Sequence, residues 1–357
     1  MSARTFVPSL LVAFIVVLAA CRKDPSMPNE DLGPTPLSLS YPAWADDGVY
    51  PLNLPGNNPL TVEGVALGRK LFYEKALSND FTMSCATCHQ QEHAFSDPRQ
   101  FSIGTDGSVG RRNSMTVQNL AWDHVFFWDG RASSLEDQAF RPVRDPGEMR
   151  NTWPVVVERL QAHPAYPALF KTVFGTDVID SVKVVMAIAQ FERTLLSFDS
   201  PFDRYMQNGD LGALTEQQVR GMELFFGDAH CNDCHLGPRF NDHNLQNIGL
   251  GRHEPDIGLM EVTGLEEDRG RFKNVGLRNV AVTGPYMHDG RFATLEEVLD
   301  FYADNVDLAT PNLDSHMFGW TLGLVDLDAA ERADLVAFLH ALTDERFLTN
   351  PAFSDPN

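Results

Sequence analysis

The chain has 357 residues, with 28 Lys and Arg against 49 Asp and Glu and a formal net charge of -21. That length leaves room for about two domains with cores of their own. The acidic balance argues against nucleic acid and against an anionic membrane surface as partners, while it suits both solubility and the approach of a basic redox protein.

A single Arg4 precedes a short apolar run, 6–20, too short to span a bilayer and typical of a secretory signal. Leu18-Ala19-Ala20-Cys21 has the form of a bacterial lipobox, which leaves Cys21 as a lipidated first residue. Membrane association is then expected only through this lipid, on a periplasmic protein anchored to the outer membrane. From 22 to about 50 the residues Pro25, Pro28, Pro34, Pro36 and Pro42 interrupt any periodic pattern, so this stretch reads as an extended tether.

Helical spacing then predicts a helix over 62–73, leading into Cys85-Ala86-Thr87-Cys88-His89. C-x-x-C-H is the attachment signature of c-type haem: two thiols form thioethers to the porphyrin edge and the adjoining imidazole reaches the iron. A second copy, Cys231-Asn232-Asp233-Cys234-His235, uses four of the five cysteines between the two motifs. A four-thiolate zinc site fits poorly, because the pairs are far apart and each carries its own His. A thioredoxin-like pair lacks its βαβ setting. The reading is two covalently bound haem c groups, with Cys85, Cys88, Cys231 and Cys234 as attachment points and His89 and His235 as iron ligands.

The rest of the chain shows a two-fold repeat at spaced landmarks. Before the second motif, Thr215 and Gln218 have capping-box spacing ahead of a helix over 217–226. Ala94-Phe95-Ser96-Asp97 answers to Arg239-Phe240-Asn241-Asp242, and Arg112-Asn113 to Arg278-Asn279. The 128–136 stretch, W-D-G-R-A-S-S-L-E, answers to 288–296, H-D-G-R-F-A-T-L-E. Gly in each D-G-R turn supplies a positive φ, and Ser133 or Thr294 caps the helix that follows. Amphipathic spacing predicts helices over 182–198 and 328–342. Strand patterns are scarce. The fold class expected is mainly α, two c-type cytochrome haem domains related by internal duplication, with long irregular loops. The boundaries are 1–20 for the signal, 21–54 for the lipidated cysteine and tether, 55–205 for a peroxidatic domain and 206–357 for an electron-transfer domain, its last helix packing back on the first.

With F-W-D-G-R-A-x-S-L-E-x-Q-A, Y-M-H-D-G-R-F-x-T-L-E-E and both haem motifs in this order, the sequence resembles the bacterial dihaem cytochrome c peroxidase and MauG family over roughly 55–345. The resemblance implies that the N-terminal haem is the peroxide site and the C-terminal haem its electron supply. It places Trp128 between the haems as an electron bridge, Gln138 in the distal pocket and Glu148 as the acid-base carboxylate. It also implies one calcium ion held by Asn113 through its side chain and by Thr283 and Pro285 through carbonyls, hard donors that suit calcium. A carboxylate above a haem can take a proton from one peroxide oxygen and deliver it to the other, and a Gln can donate a hydrogen bond to bound oxygen.

Two positions depart from the classical pattern. Where classical members carry a His that blocks the peroxide haem, this chain has Thr105, a poor iron ligand, so an open distal face is expected. His93 lies only four residues after His89, too close to cross to the other face. Where classical members use Met on the second haem, this chain has Tyr302, as in MauG-type members; Met287, Met317 and His316 compete for that role. His288 reads as structural.

The function expected is reduction of hydrogen peroxide to water with electrons from a small cytochrome or other redox protein. The first alternative is a MauG-type oxidation of protein side chains through high-valent iron. Tyr302 and Thr105 favour it, while Ala229 and His230 stand where that relative has a surface Trp. The second is a non-catalytic dihaem electron carrier, which Glu148 and Thr105 disfavour. The sequence leaves monomer and homodimer open.

Overall fold

The computed structural model describes residues 33–356 apart from 47, 318 and 320–324. The signal and Cys21 lie outside the described residues. Helices α1 (Val62–Phe72), α2 (Leu135–Phe140), α3 (Trp153–Ala162), α4 (Tyr166–Phe174), α5 (Ser181–Glu192) and α6 (Pro201–Asn208) precede the second haem motif together with α7 (Glu216–Phe226). After it come α8 (Met260–Thr263), α9 (Leu295–Asp300), a π-helical turn at Phe301–Asn305, α10 (Ala329–His340) and α11 (Glu345–Thr349). Sheet among the described residues is one antiparallel pair, β1 (Leu245–Gln246) and β2 (Phe272–Lys273). The mainly helical expectation with long irregular loops is met.

The helix starts follow from capping. Thr61 accepts from the Gly64 amide at 3.0 Å, and Thr215 with Gln218 closes the expected capping box at α7. The α2 cap is Ser134, accepting from the Asp137 amide at 3.1 Å, rather than Ser133; its counterpart at α9 is Thr294. Gly130 (φ 72°) and Gly290 (φ 61°) hold the two D-G-R turns as expected.

Two helix pairs set the frame. α1 lies along α5, and α7 lies along α10. Gly68 permits the first approach, since a Cβ there would collide with the Ala187 carbonyl, and Gly221 permits the second against the Asp334 carbonyl. Around the first pair, Leu71, Phe72, Phe95, Val156, Phe170 and Phe191 form one core, and Phe347 of α11 is buried in it. Around the second, Phe202, Phe225, Phe240, Leu335 and Phe338 form another.

Three expectations are corrected. The helix expected over 182–198 stops at Glu192, because the Thr194 hydroxyl donates back to the Phe191 carbonyl at 2.7 Å and Ser197 turns to bond Asn119. The described part of the expected tether is docked: Leu37 bonds the Leu60 carbonyl, Tyr41 packs edge-on against Trp122 at 5.1 Å, and the Arg239 guanidinium donates to the Ala45 carbonyl at 2.9 Å. Buried aromatic area holds it down despite its prolines. Finally, Arg112-Asn113 and Arg278-Asn279 do not occupy equivalent places. Asn119 and Asn279 do, each with left-handed φ (54° and 57°) ahead of a short 3-10 turn. The matching dipeptides lie out of register with that geometry.

Candidate functional site

Each C-x-x-C-H forms a 3-10 turn, Cys85–Thr87 and Cys231–Asp233. The turn closes when the His89 amide bonds the Cys85 carbonyl and the His235 amide the Cys231 carbonyl, both at 3.0 Å. His89 Nδ1 then points at the Phe95 carbonyl, 2.8 Å away, and His235 Nδ1 at the Phe240 carbonyl, 3.1 Å away. A carbonyl can only accept, so each Nδ1 carries the proton and each Nε2 presents a lone pair. Burial lowers both imidazole pKa values, which keeps those lone pairs available. Phe95 and Phe240 reach these places through positive φ (59° and 56°), the structural content of the landmark seen in the sequence.

Beside the second motif lies a largely apolar cavity enclosing about 1510 Å³ of empty space, its mouth included, lined by Cys231, Cys234, His235, Tyr302, Met317 and Trp128 among others. Its apolar walls and paired thiols beside an oriented imidazole fit a haem. Tyr302 sits in the π-helical turn, an uncommon device frequent at functional sites. Burial raises its pKa, and the neighbouring Cys234 and Cys231 add to this, which puts the phenol against the second motif. Met287, Met317 and His316 line the same cavity.

At the first motif the donor set is the same: two thiols, an imidazole with Nε2 free to ligate, and Phe72 packed 6.4 Å from the His89 ring. Met149, next to Glu148, is buried in the core against which Cys85 packs, which brings the loop at 145–149 to this motif, and Glu148 acts electrostatically on both Cys85 and Cys88. Burial and then Asp145 push the Glu148 carboxyl up to about 7, against the pull of Arg131. Arg131 itself is stacked 3.6 Å over Phe127 and paired with Asp129. The Thr105 amide donates to the Glu148 carbonyl at 3.0 Å, and its buried Oγ1 has no hydrogen-bond partner. Gln138 lies in α2, one turn from its cap.

Trp128 lines the second cavity, and its Nε1 donates to the Asn113 carbonyl at 2.9 Å. His288 stacks on Phe272 at 3.7 Å and meets Trp128 edge-on at 6.5 Å. Asn113 donates through its side chain to the Arg99 and Gln100 carbonyls, each at 3.2 Å, and the Pro285 ring lies beside the Gly290–Gln100 contact, so Asn113 and Pro285 share one neighbourhood. Glu254, His288 and Asp289 cluster there too, but Arg291 bonds both carboxylates, which makes this an ion-pair cluster.

Sequence reasoning missed the ionic seam and one buried acid. Arg112 spans Asp129 (2.5 Å) and Asp256 (2.6 Å), and Lys273 pairs with Asp123. No local pattern signals pairs so distant in the chain. Glu192, by contrast, had a signal: it falls on the stripe of Val185, Ile188 and Leu195 at helical spacing, a carboxylate in a core register.

Two oriented imidazoles, each beside a pair of thiols, define a dihaem c-type protein. Residues 62–210 match the family model described as di-haem cytochrome c peroxidase. The chain is 41% identical to the methylamine utilization protein MauG of Methylorubrum extorquens over 82% of this chain and 81% of that protein. It is 35% identical to the cytochrome c551 peroxidase of Nitrosomonas europaea over 87% of this chain and 90% of that one. A solved MauG-like protein associated with microbial copper homeostasis superposes with a TM-score of 0.81 at 35% identity, covering 90% of this chain and 99% of that one. The chain belongs to the dihaem cytochrome c peroxidase and MauG family, and it is a dihaem peroxidase carrying two haem cofactors.

Proposed function

We propose that this enzyme reduces hydrogen peroxide to water at the Cys85–His89 haem, with electrons that enter at the Cys231–His235 haem from a small cytochrome. The domains are 55–205 and 206–357. The observation that carries this reading is Glu148: a carboxyl close to the first motif, raised to about 7, so that it can both accept and return a proton near neutral pH. Haem bound at the two motifs supplies the redox chemistry. Glu148 takes the proton from the near oxygen of peroxide and delivers it to the departing one. Gln138 donates a hydrogen bond that orients the peroxide, and Thr105 leaves the approach unblocked. Trp128, anchored on Asn113 and lining the second cavity, bridges the two centres. Steady-state turnover with a reduced cytochrome c and peroxide tests the reading; full turnover in Glu148→Gln would dismiss the acid-base role.

A calcium ion at Asn113, Thr283 and Pro285 would stiffen the ground between the centres. The enzyme works in the periplasm, held to the outer membrane by lipid on Cys21; no helix among the described residues is long and apolar enough to cross a membrane.

A second reading is favoured by Tyr302. Tyr302 would hold the haem at the second motif, and its oxygen would favour higher oxidation states there, which suits the oxidation of a protein side chain. Turnover with a reduced cytochrome at rates typical of a peroxidase would exclude it as the main activity.

A further inference from the structure

Glu192 closes α5 with only 4% of its surface exposed, and its Oε2 has no hydrogen-bond partner. The neighbouring Arg193 bonds Glu136 through its two terminal nitrogens at 2.8 and 2.9 Å, and its buried Nε has no hydrogen-bond partner, so it lends Glu192 its charge but no hydrogen bond. Glu192 follows Phe191, which meets Phe72 at 5.4 Å, and Phe72 in turn meets the His89 ring at 6.4 Å, so α5 ends against the packing behind the first haem turn; of the charges acting on Cys85, that of Glu192 is the largest. The groups facing it are few. The charges acting on it are Arg193 of its own helix and Glu136 of α2, and it acts in turn on Cys85 of the haem turn, while α5 itself packs along α1 and α2. A buried carboxyl oxygen that accepts no hydrogen bond favours its neutral form. Burial accordingly raises it to about 8, Glu136 adding to the effect and Arg193 opposing it.

We propose that Glu192 is a redox-linked proton site of the first haem, taking up a proton when that haem gains an electron and releasing it when the haem is oxidised. The electron adds one negative charge to a cofactor at low local dielectric, where a carboxylate nearby becomes harder to keep ionised. The balance is one electron from the donor and one proton from solvent, giving ferrous haem and the Glu192 acid from ferric haem and the Glu192 carboxylate. No peroxide chemistry passes through Glu192, which distinguishes it from Gln138 and Glu148. The inference rests on haem attachment at Cys85 and Cys88.

The test is a spectroelectrochemical titration of the holoenzyme at pH values on either side of about 8. In the wild type, one of the two midpoint potentials falls as pH rises, approaching a tenfold shift in the reduction equilibrium per pH unit. Glu192→Gln abolishes that slope at this haem alone, and Glu148→Gln keeps it. Wild-type pH dependence at both haems of Glu192→Gln would overturn the proposal. Should that variant fail to assemble, redox-difference infrared spectra of the wild type decide. A protonated-carboxyl band that appears on reduction and survives in Glu148→Gln supports Glu192, and no such band at any pH refutes it. Covalent haem content that stays at the wild-type level in the Cys85→Ala/Cys88→Ala double variant would instead overturn the attachment, separating the two failures.

Discussion

The backbone carbonyl of Trp128 accepts a hydrogen bond from the Lys273 amide at 2.8 Å. The carbonyl of His288 accepts one from the Asn113 amide at 2.7 Å, so each D-G-R turn is held by a residue of the other half of the chain. Trp128 and His288 hold corresponding places in this crossed arrangement, and their rings meet edge-on. Trp128 is therefore fixed at both its backbone and its indole nitrogen.

Replacing Trp128 by Phe keeps most of the packing but leaves the Asn113 carbonyl without its indole partner. We expect a stability loss of about 1 kcal/mol in denaturant unfolding. In stopped-flow mixing, the reaction of peroxide with the first haem should persist, while electron delivery from the second haem slows.

In the proposed role Glu148 can act as a base only when ionised, so the rate constant for peroxide should rise with pH through about 7 and level off above it. Glu148→Gln should lose roughly 10²–10⁴-fold in that rate constant. The sign for stability is the opposite. Relative to an ordinary value of 4.5, the raised carboxyl makes the folded state bind a proton that the unfolded chain has released, so its cost grows from 4.5 to about 7 and is constant above. Glu148→Gln should therefore gain more stability over the wild type at pH 8 than at pH 4, as read by urea midpoints.

Thr105→His should restore a candidate blocking ligand beside Glu148. The oxidised wild type is expected to change its optical spectrum on mixing with peroxide without prior reduction. The variant is expected to do so only after the second haem is reduced; an unreactive oxidised wild type would show that its first haem is already blocked.

Tyr302→Phe removes the phenol oxygen and little volume. The low-spin ferric EPR signal of one haem should change, and an unchanged spectrum would remove Tyr302 as an iron ligand.

Gly68→Ala places a methyl against the Ala187 carbonyl, and Gly221→Ala does the same at Asp334. Helix propensity favours Ala by about 1 kcal/mol, but the closed helix pair must open. Net destabilisation of about 1–3 kcal/mol is expected in thermal unfolding, with weaker haem retention in the affected half.

The sequence by itself determined the cofactor chemistry, because covalent haem attachment is a local matter of two thiols and an imidazole within five residues. It also determined the helix starts at Thr215, Asp328 and Thr294 and the turn glycines Gly130 and Gly290, since caps and positive φ act over three or four residues. The end of α5 was not legible, because what stops it is a bond from Thr194 and a partner, Asn119, far away in the chain. Nor was the docking of Tyr41, Trp44 and Tyr50, whose aromatic contacts are all long-range. Backbone geometry decided which matching landmarks are equivalent, pairing Asn119 rather than Asn113 with Asn279, although their equal spacing of nine residues before Trp128 and His288 was already a signal in the sequence. Tertiary structure alone decided the standing of Glu192, a carboxylate on an apolar stripe that receives no hydrogen bond from Arg193, which is bound to Glu136.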